Sequence, residues 1–306
     1  MGRFAIFTQA ILFAWLGLAP QSWAQSCPPL SDYAKAVLTA EHLFGGAPSD
    51  GRVLVRRGYV TEYDEARRVP RWAAWRAAPA YLNTPKRESR WSTFRTDPDV
   101  TNPVRRTDYN GLLDAFDLAR GHISPYFISG GDRDGDGTFA AVNSPADLAI
   151  GDIDDACTVF EINYMSNIAP QRHGNFNGSG GLWNVLETKV RNDIVRAGKT
   201  IHIIAGTVFG DAATQVVGPN TDIHVPHMFY KILVGEPGVV AFLFVHTERI
   251  GAKGCALDAA LESCIVAVAD IEAITGLDFF AGLSDAAEAA IEGTDGRAVW
   301  RALLGQ

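Results

Sequence analysis

The segment from Leu118 to Glu187 constrains the fold more than any other part of the chain. Its first residues alternate as in a strand and its last residues follow the spacing of a helix, and both parts carry chemically versatile side chains. Arg120 and His122 alternate around Gly121, as residues on a strand do. On a strand their side chains share one face, and Gly121 permits close backbone packing on the other. The segment therefore predicts a strand that presents a guanidinium and an imidazole together.

A helix is predicted at the other end of this segment, after a glycine- and asparagine-rich loop at residues 174–181. Ser179 is the expected N-cap. Glu187 lies four residues after Trp183 and four before Arg191, so it forms either an ordinary helical ion pair or part of a functional site. The apolar face of the helix consists of Trp183, Leu186, Val190 and Ile194.

The polar residues of this segment are suited to phosphodiester chemistry. Its two ends combine the imidazole of His122, several carboxamides and the carboxylate of Glu187 with nearby guanidiniums. Such a set can activate a water molecule, hold one hard cation and neutralise a phosphate. A lone histidine is more often structural than catalytic, so the case for His122 rests on these neighbours.

Four short motifs follow one another in order: Arg120-Gly121-His122 with Pro125, Ser166-Asn167 with Pro170-Gln171, Phe176-Asn177, and Trp183 with Leu186-Glu187. This ordered set resembles the DNA/RNA non-specific endonucleases, which include secreted sugar-non-specific bacterial nucleases and mitochondrial endonuclease G. The resemblance covers most of the chain, from about Val53 to Leu283. It implies an α+β fold with a mostly antiparallel sheet core, packed helices and a ββα-metal finger that carries the active site.

The resemblance also implies a role for each polar residue of the motifs. His122 is expected to take the proton from the attacking water. Asn177 is expected to bind one Mg²⁺ or Mn²⁺ ion; Asn175 is the alternative, because an apparent insertion separates Asn177 from the following tryptophan. Glu187 is expected to hold a metal-bound water, and Asn167 to orient the site.

Two arginines are expected to stabilise the charge of the transition state. One is Arg120, next to the histidine. The other is Arg90, which lies four residues before Phe94 at the place where the family has a phosphate-contacting arginine, with Arg95 as the alternative. The planar fork of a guanidinium suits a phosphate better than an ammonium does. By resemblance, the products would carry 5′-phosphates.

Ala119 departs from the family pattern, which usually has aspartate at this position. The chain therefore lacks a carboxylate immediately before Arg120. Asp117, two residues earlier, could substitute for it if the strand contains a bulge.

Residues at about 130–155 form an acidic insertion with a pattern of its own. Asp132, Asp134 and Asp136 alternate and are followed by Gly137, which matches the start of a calcium loop. Asn143 stands where such a loop has its glutamate. We expect a structural Ca²⁺ site separate from the catalytic one, the alternative being a plain acidic surface loop. The acids that could complete the site are Asp147, Asp152, Asp154 and Asp155.

The N-terminal residues predict export. Residues 1–24 begin with a positive charge at Arg3, continue through an apolar run and end in Ser22-Trp23-Ala24, the pattern of a secretory signal peptide. A membrane anchor is the alternative, but the run falls short of the ~20 residues that span a bilayer. We therefore expect residues 25–306 to form one domain, secreted or periplasmic, without membrane association after cleavage.

Export also makes the four cysteines candidates for disulfides. Cys255 and Cys264 are close in sequence around a loop and are predicted to pair. This leaves Cys27 to pair with Cys157, although the sequence alone allows other pairings.

The charge of the chain is unevenly distributed. Its net charge of −8 argues against indiscriminate attraction to polyanions. Residues 51–120, however, carry 14 basic against nine acidic side chains. This basic segment is either a surface that follows the phosphates of a substrate or a solvated arginine-rich hairpin.

Periodicity and turn residues predict further elements outside the motif segment. They are a helix at Ser31–Leu43, a hairpin from Arg52–Tyr63 and Pro70–Ala77, a buried strand at Thr158–Tyr164, core strands at Thr200–Phe209, His227–Val234 and Val239–Val245, and a helix at Ala267–Ile274 that ends at Gly276.

Together these features predict a secreted, Mg²⁺-dependent endonuclease that hydrolyses DNA and RNA with little sequence preference. One alternative is a calcium-stabilised nucleic-acid-binding protein whose activity was weakened or lost with the Ala119 change. Another is an enzyme that acts on a nucleotide or a lipid headgroup, although the arginine-rich segment favours a long polyanion. The oligomeric state stays open.

Overall fold

A computed structural model of the protein describes residues 27–133, 153–220 and 222–306, without the side chains of residues 89, 90, 153 and 154. The predicted signal peptide lies outside the described residues, and so do Asp134 and Asp136 of the acidic insertion. Arg90 is described in its backbone alone. Within the described ranges, no helix is both long enough and apolar enough to cross a membrane.

Strands account for most of the central part of the fold. They are β1 (Val53–Val55), β2 (Val60–Asp64), β3 (Val69–Ala77), β4 (Leu118–His122), β5 (Ile168–Arg172), β6 (Ile201–Val208), β7 (Val216–Val217), β8 (Ile223–His224), β9 (Met228–Gly235), β10 (Gly238–Val245) and β11 (Ile265–Val266). Seven of them form an antiparallel sheet in the order β1–β2–β3–β6–β9–β10–β11. Strands β4 and β5 form a separate antiparallel pair, as do β7 and β8.

Helices pack on both sides of this sheet. They are α1 (Asp32–His42), α2 (Leu112–Phe116), α3 (Tyr126–Ser129), α4 (Ile153–Ile162), α5 (Leu182–Lys189), α6 (Val268–Thr275), α7 (Asp285–Glu292) and α8 (Gly296–Leu303). A π-helical segment at His173–Asn177 precedes α5, and another at Val190–Val195 extends it.

Both faces of the central sheet are buried, because its strands carry large apolar side chains on both sides. In β3, Trp75 belongs to one core and Trp72 to the other, as the two-residue period of a strand requires. Helices α4, α5 and α8 and the β4–β5 pair contribute to the core on the Trp75 side. Helices α6 and α7 contribute on the Trp72 side. The predicted α+β fold with an antiparallel sheet core is confirmed.

Many of the predicted elements are present. Strands β6, β9 and β10 match the three predicted core strands. Helix α1 begins after Ser31, whose hydroxyl accepts a hydrogen bond from the Ala34 N–H at 3.1 Å. Helix α6 ends at Gly276, which has a φ of +64° that glycine adopts without strain. The predicted hairpin at residues 52–77 is present as three strands, because a turn separates β1 from β2.

Two local predictions are wrong. The strand predicted at Thr158–Tyr164 is largely helix α4. All side chains from Asp155 to Tyr164 are buried, so the segment shows neither strand nor helix alternation, and its β-branched residues favour the wrong choice. The predicted N-cap of α5 is also wrong, because Gly181 rather than Ser179 precedes the helix.

The two disulfides are the predicted ones. Cys255 and Cys264 are joined with their Cα atoms 4.7 Å apart, and Cys27 and Cys157 with theirs 5.5 Å apart. The Cys27–Cys157 bond ties the first described residues to α4 across a sequence separation of 130. Because closing a longer loop removes more entropy from the unfolded chain, this bond is the more stabilising one in the chain-entropy description.

The β4–β5 pair carries the predicted histidine and depends on Gly121. Its register is regular, from Leu118 opposite Arg172 to His122 opposite Ile168. A Cβ atom placed on Gly121 would lie 1.9 Å from the side-chain oxygen of Gln171. The side chain of Gln171 therefore occupies the space that a side chain at position 121 would need.

Gly121→Ala is expected to destabilise the protein by about 1–3 kcal/mol, the usual cost of overpacking. Gln171 is fully buried, so moving it away from the added methyl group requires its buried neighbours to repack. Denaturant unfolding of the purified variants measures the effect. Combined with Gln171→Ala, the change should cost less than the sum of the two single changes, because the overlapping atoms are gone; strict additivity would contradict this explanation.

Candidate active site

A pocket of about 210 Å³ lies between the end of β4 and helix α5. His122, Asn177 and Glu187 all line it, although they come from a strand, a π-helical segment and a helix. The β4–β5 pair followed by α5 gives the site a ββα arrangement. Arg87 and Arg191 line the same pocket and make it cationic.

Asn163 fixes the orientation of the His122 ring. Its side-chain N–H group donates to the carbonyl oxygens of Trp91 at 2.9 Å and Val159 at 3.1 Å, so its Oδ1 is left as an acceptor. Oδ1 lies 3.2 Å from Nε2 of His122, and Nε2 therefore carries the ring proton. Nδ1 keeps the lone pair. The ring of Phe94 packs against the imidazole at a centroid distance of 5.3 Å.

The environment of His122 keeps its imidazole neutral. Burial, together with the nearby Arg87 guanidinium, lowers the pKa of His122 to about 3, and the hydrogen bond to Asn163 opposes this shift. Only a neutral imidazole can accept a proton. The site therefore holds His122 in the form that a general base requires.

The π-helical segment at His173–Asn177 brings Asn177 to the pocket. Asp117 holds the start of this segment, since its carboxylate oxygens accept the Gly174 N–H at 3.1 and 3.2 Å. Asp117 lies just before β4 and does not line the pocket, and the β4–β5 register contains no bulge that would bring it closer. It therefore does not replace the aspartate of the family pattern. Asn175 is exposed and lies outside the pocket lining.

Glu187 forms an ion pair with Lys231 instead of the helical pair with Arg191. The Lys231 ammonium lies 2.9 Å from Oε1 of Glu187. Burial raises the pKa of Glu187, and the ammonium of Lys231 acts against this shift. Arg191 instead donates from Nε to the side chain of Asn192 at 3.3 Å, and its guanidinium lies 5.5 Å from the ring of Phe127.

Among the described side chains, Arg87 and Arg191 line the pocket, and neither was predicted to do so; the side chain of Arg90 lies outside the described residues. Arg87 lies in the same irregular segment as Arg90, and Arg191 follows Glu187 by one helical turn. Arg120 is outside the pocket lining, with its guanidinium 5.5 Å from the ring of Phe94. Arg95 is also outside, where its guanidinium covers a buried phenylalanine at 4.2 Å. The helical spacing from Glu187 was the one sequence signal that could have identified Arg191.

Asn167 lies behind the pocket and is fully buried. Its Oδ1 accepts the Ser124 N–H, and its Nδ2 donates to the carbonyl oxygens of Ser124 and Ile162, all at 2.9 Å. These bonds join the residues that follow His122 to the end of α4. Asn167 can thus orient the histidine without contacting a substrate.

The geometry agrees with comparisons to known proteins. The family model for DNA/RNA non-specific endonucleases matches residues 41–146 and 153–286. The chain belongs to this family. A nuclease of Nostoc sp. is 26% identical over 280 residues, which cover 87% of this chain and 89% of that protein. A nuclease of Serratia marcescens is 25% identical over 263 residues, 82% of this chain and 84% of that protein.

A mitochondrial nuclease EXOG of Xenopus laevis is 25% identical over 72% of this chain and 56% of its own length. Among solved structures, a chain from the EndoG/EndoGI complex has the same fold, with a TM-score of 0.58 at 20% identity, covering 81% of this chain and 92% of the other. As a member of this family of metal-dependent nucleases, the protein is a hydrolase that acts on nucleic acids.

The calcium loop of this endonuclease-family protein remains a prediction, because only Asp132 of its three expected ligands lies within the described residues. Asp132 is buried, and its N–H donates to the Asn83 carbonyl at 3.3 Å. Nearby, the Asp155 carboxylate accepts the Arg133 N–H at 2.9 Å. The described part of the chain contains no cluster of three or more His, Cys, Asp or Glu side chains that could hold a metal ion.

Part of the basic segment at residues 51–120 is interior rather than surface. Arg56, Arg57 and Arg68 are buried, with 6%, 6% and 4% of their surface exposed. Arg56 forms two hydrogen bonds to the carboxylate of Asp97 at 2.6 and 2.8 Å. Arg57 pairs with Glu161, and Arg68 pairs with acids at positions 108 and 222. These three arginines therefore belong neither to a surface that follows substrate phosphates nor to a solvated hairpin. They form ion pairs inside the fold.

Replacing Arg87 by methionine is expected to raise the pKa of His122, because a positive charge that disfavours the imidazolium is removed. The folded-state pKa lies below the ordinary value, so the shift is upward, towards about 6.5. An NMR titration of the His122 ring resonances measures it. Arg95→Met is the matched control, since Arg95 lies outside the pocket lining; equal shifts in both variants would contradict the assignment.

Proposed function

We propose that the protein is an exported, Mg²⁺-dependent endonuclease that hydrolyses phosphodiester bonds of DNA and RNA with little sequence preference. One observation carries the proposal: His122, Asn177 and Glu187 line a single pocket together with Arg87 and Arg191. A base, two oxygen donors and two guanidiniums are the groups that phosphodiester hydrolysis requires.

His122 is the general base of the proposed reaction. Its Nδ1 lone pair, fixed by the Nε2 contact with Asn163, accepts a proton from water as the water oxygen attacks phosphorus. The bond from phosphorus to the 3′-oxygen breaks, the 3′-oxygen takes up a proton from solvent, and the products are a 3′-hydroxyl and a 5′-phosphate. Asn167 acts indirectly, by holding the residues that follow His122 against α4.

The residues of the pocket fit one hard divalent cation. Asn177 offers a neutral amide oxygen and Glu187 a carboxylate, both of the hard type that Mg²⁺ or Mn²⁺ prefers. When bound, the cation would supply positive charge near the leaving oxygen and the phosphate. Asn177 would hold it directly, and Glu187 would accept a hydrogen bond from a water molecule in the pocket.

Arg87 and Arg191 are placed to stabilise the negative charge that builds up on the phosphate, since both line the pocket. Arg120 supports the site from outside, where it covers Phe94, which packs against His122. Because these charged groups address phosphate rather than base edges, they support cleavage with little sequence preference. A phosphate-binding role for Arg90 stays a prediction.

Secretion or transfer to the periplasm is proposed from two features. The first residues have the composition of a signal peptide. The two disulfides are stable in an oxidising compartment and rare in the cytosol.

His122→Ala is expected to lower DNA cleavage by at least about 100-fold, the smallest usual contribution of a general base. Nicking of supercoiled plasmid in Mg²⁺, with an EDTA lane, measures it, and circular dichroism checks folding. His224→Ala is the control, because His224 lies on β8 outside the pocket lining. Cleavage by His122→Ala near the wild-type rate would exclude the histidine as the base. A folded wild-type protein that binds DNA without cutting it would indicate a binding protein instead.

Asn177→Ala is expected to raise the Mg²⁺ concentration needed for half-maximal cleavage by about tenfold or more, because the proposed direct ligand is lost. Asn175→Ala is the matched control: it removes the same group two residues away, from an exposed position outside the pocket. The Mg²⁺ dependence of cleavage by each variant measures the difference. If Asn175→Ala gave the larger shift, the assignment of the ligand would be reversed.

A further inference from the structure

Lys231 is a buried cation whose placement serves the active site. It lies in β9, in the centre of the sheet, and only 1% of its surface is exposed. Its neighbours at two-residue spacing, Phe229 and Leu233, belong to the core on the side of the pocket, so Lys231 faces that side too. Lysine is among the residues least often fully buried, and its presence in a central strand requires a specific partner.

The partner is the carboxylate of Glu187. The Lys231 ammonium lies 2.9 Å from Oε1 of Glu187 and 3.7 Å from the ring centroid of Trp183. The same ammonium lies 5.7 Å from the ring centroid of Trp75. A carboxylate and an aromatic face both stabilise a desolvated cation. These contacts fix the ammonium between the sheet and α5.

This arrangement also determines what Glu187 presents to the pocket. One of its oxygens is engaged by Lys231, so Oε2 is the oxygen that remains for the pocket. The side chain is 20% exposed, so it is shielded from much of the solvent that would otherwise stabilise its charge. Arg191 is the other cation beside it on the same helix, but its guanidinium is directed towards Asn192 and Phe127.

We propose that Lys231 is a positioning residue for catalysis, which holds Glu187 in one orientation, with Oε2 turned to the pocket. The inference rests on the proposed function of the site. Lys231 itself does not line the pocket and does not touch the substrate. It acts through Glu187 alone.

A purely structural role for Lys231 would be a poor explanation. A buried ion pair contributes little net stability compared with apolar residues of similar size, so packing alone does not require it. The surrounding positions on this face of β9 are apolar, and a methionine would suit them. The pair has a use if the Glu187 carboxylate must be held in one orientation at the pocket.

The test is a double-mutant cycle of Lys231→Met and Glu187→Gln, with kcat and KM measured on a fluorescent DNA oligonucleotide and normalised to the folded fraction. Lys231→Met is expected to lower kcat by about 10- to 100-fold, the usual effect of losing a group that orients a site residue, with little change in KM. In the Glu187→Gln background the same change should alter kcat by no more than about threefold, because Lys231 then has no carboxylate to orient. Additive effects on kcat would overturn the proposal.

Lys199→Met is the matched control for lost stability. The Lys199 ammonium donates to the carbonyl oxygens of Ala302 and Leu303 at 2.7 and 2.8 Å, away from the pocket lining. It should lower the unfolding temperature and leave kcat unchanged. An equal loss of kcat in Lys199→Met would overturn the proposal, because it would trace the effect to stability.

Thermal unfolding in EDTA gives a readout that does not depend on activity. Glu187→Gln should restore stability to the Lys231→Met protein, because it removes the unpaired buried carboxylate. If Lys231→Met does not fold, Lys231→Gln is measured instead: it removes the charge but keeps a donor for Oε1, so kcat should stay close to the wild-type value, and a loss of about tenfold or more would overturn the proposal. A wild-type protein that cleaves no DNA in Mg²⁺ would overturn the proposed function and this role with it, whereas active wild type with additive variants overturns the role of Lys231 alone.

Discussion

The geometry of the site depends on one side-chain amide. Asn163 donates to two backbone carbonyls, that of Val159 in α4 and that of Trp91, and these bonds leave its oxygen in a single orientation opposite His122. Through this amide, the packing of α4 and of the segment at Trp91 determines which ring nitrogen of His122 carries the proton. Any shift of α4 against β4 would misdirect the Nδ1 lone pair, which explains why Asn167 and the Cys27–Cys157 disulfide anchor the same helix.

The second anchor of the site is the central sheet. Strand β9 carries large apolar side chains to one core and, at alternate positions, Phe229, Lys231 and Leu233 to the other. Helix α5 packs on that second side, so Glu187 is set against a rigid strand rather than a loop. The β4–β5 pair carries the base, His122, and the central sheet supports the carboxylate of Glu187. The pocket forms between them.

The sequence was informative where local patterns are strong. Long apolar runs identified β6, β9 and β10, and a glycine located the end of α6. The ordered motifs singled out three of the residues that line the pocket, His122, Asn177 and Glu187. Local patterns failed for α4, because a segment buried on all sides has no period to read. They also gave no sign of Asn163 or Lys231, whose roles arise from contacts between residues distant along the chain.

The arginines illustrate the same limit. Spacing from Phe94 predicted Arg90, with Arg95 as the alternative; Arg95 lies outside the pocket lining, and the side chain of Arg90 lies outside the described residues. No spacing in the sequence indicated Arg87, which lines the pocket. The abundance of arginine was equally ambiguous, because several guanidiniums serve buried carboxylates and not a substrate.

The buried histidines give the fold a sensitivity to acid. Desolvation lowers the pKa of His42 and His122 to about 3 and of His246 to about 4. At pH values between these and the ordinary histidine pKa of about 6.5, the unfolded chain binds protons that the native protein does not bind. The free energy of unfolding is therefore not reduced by these histidines above a pH of about 6.5, and it declines as the pH falls below that value. A hydrolase that keeps its base uncharged by enclosing it is, for that reason, best suited to neutral or alkaline surroundings.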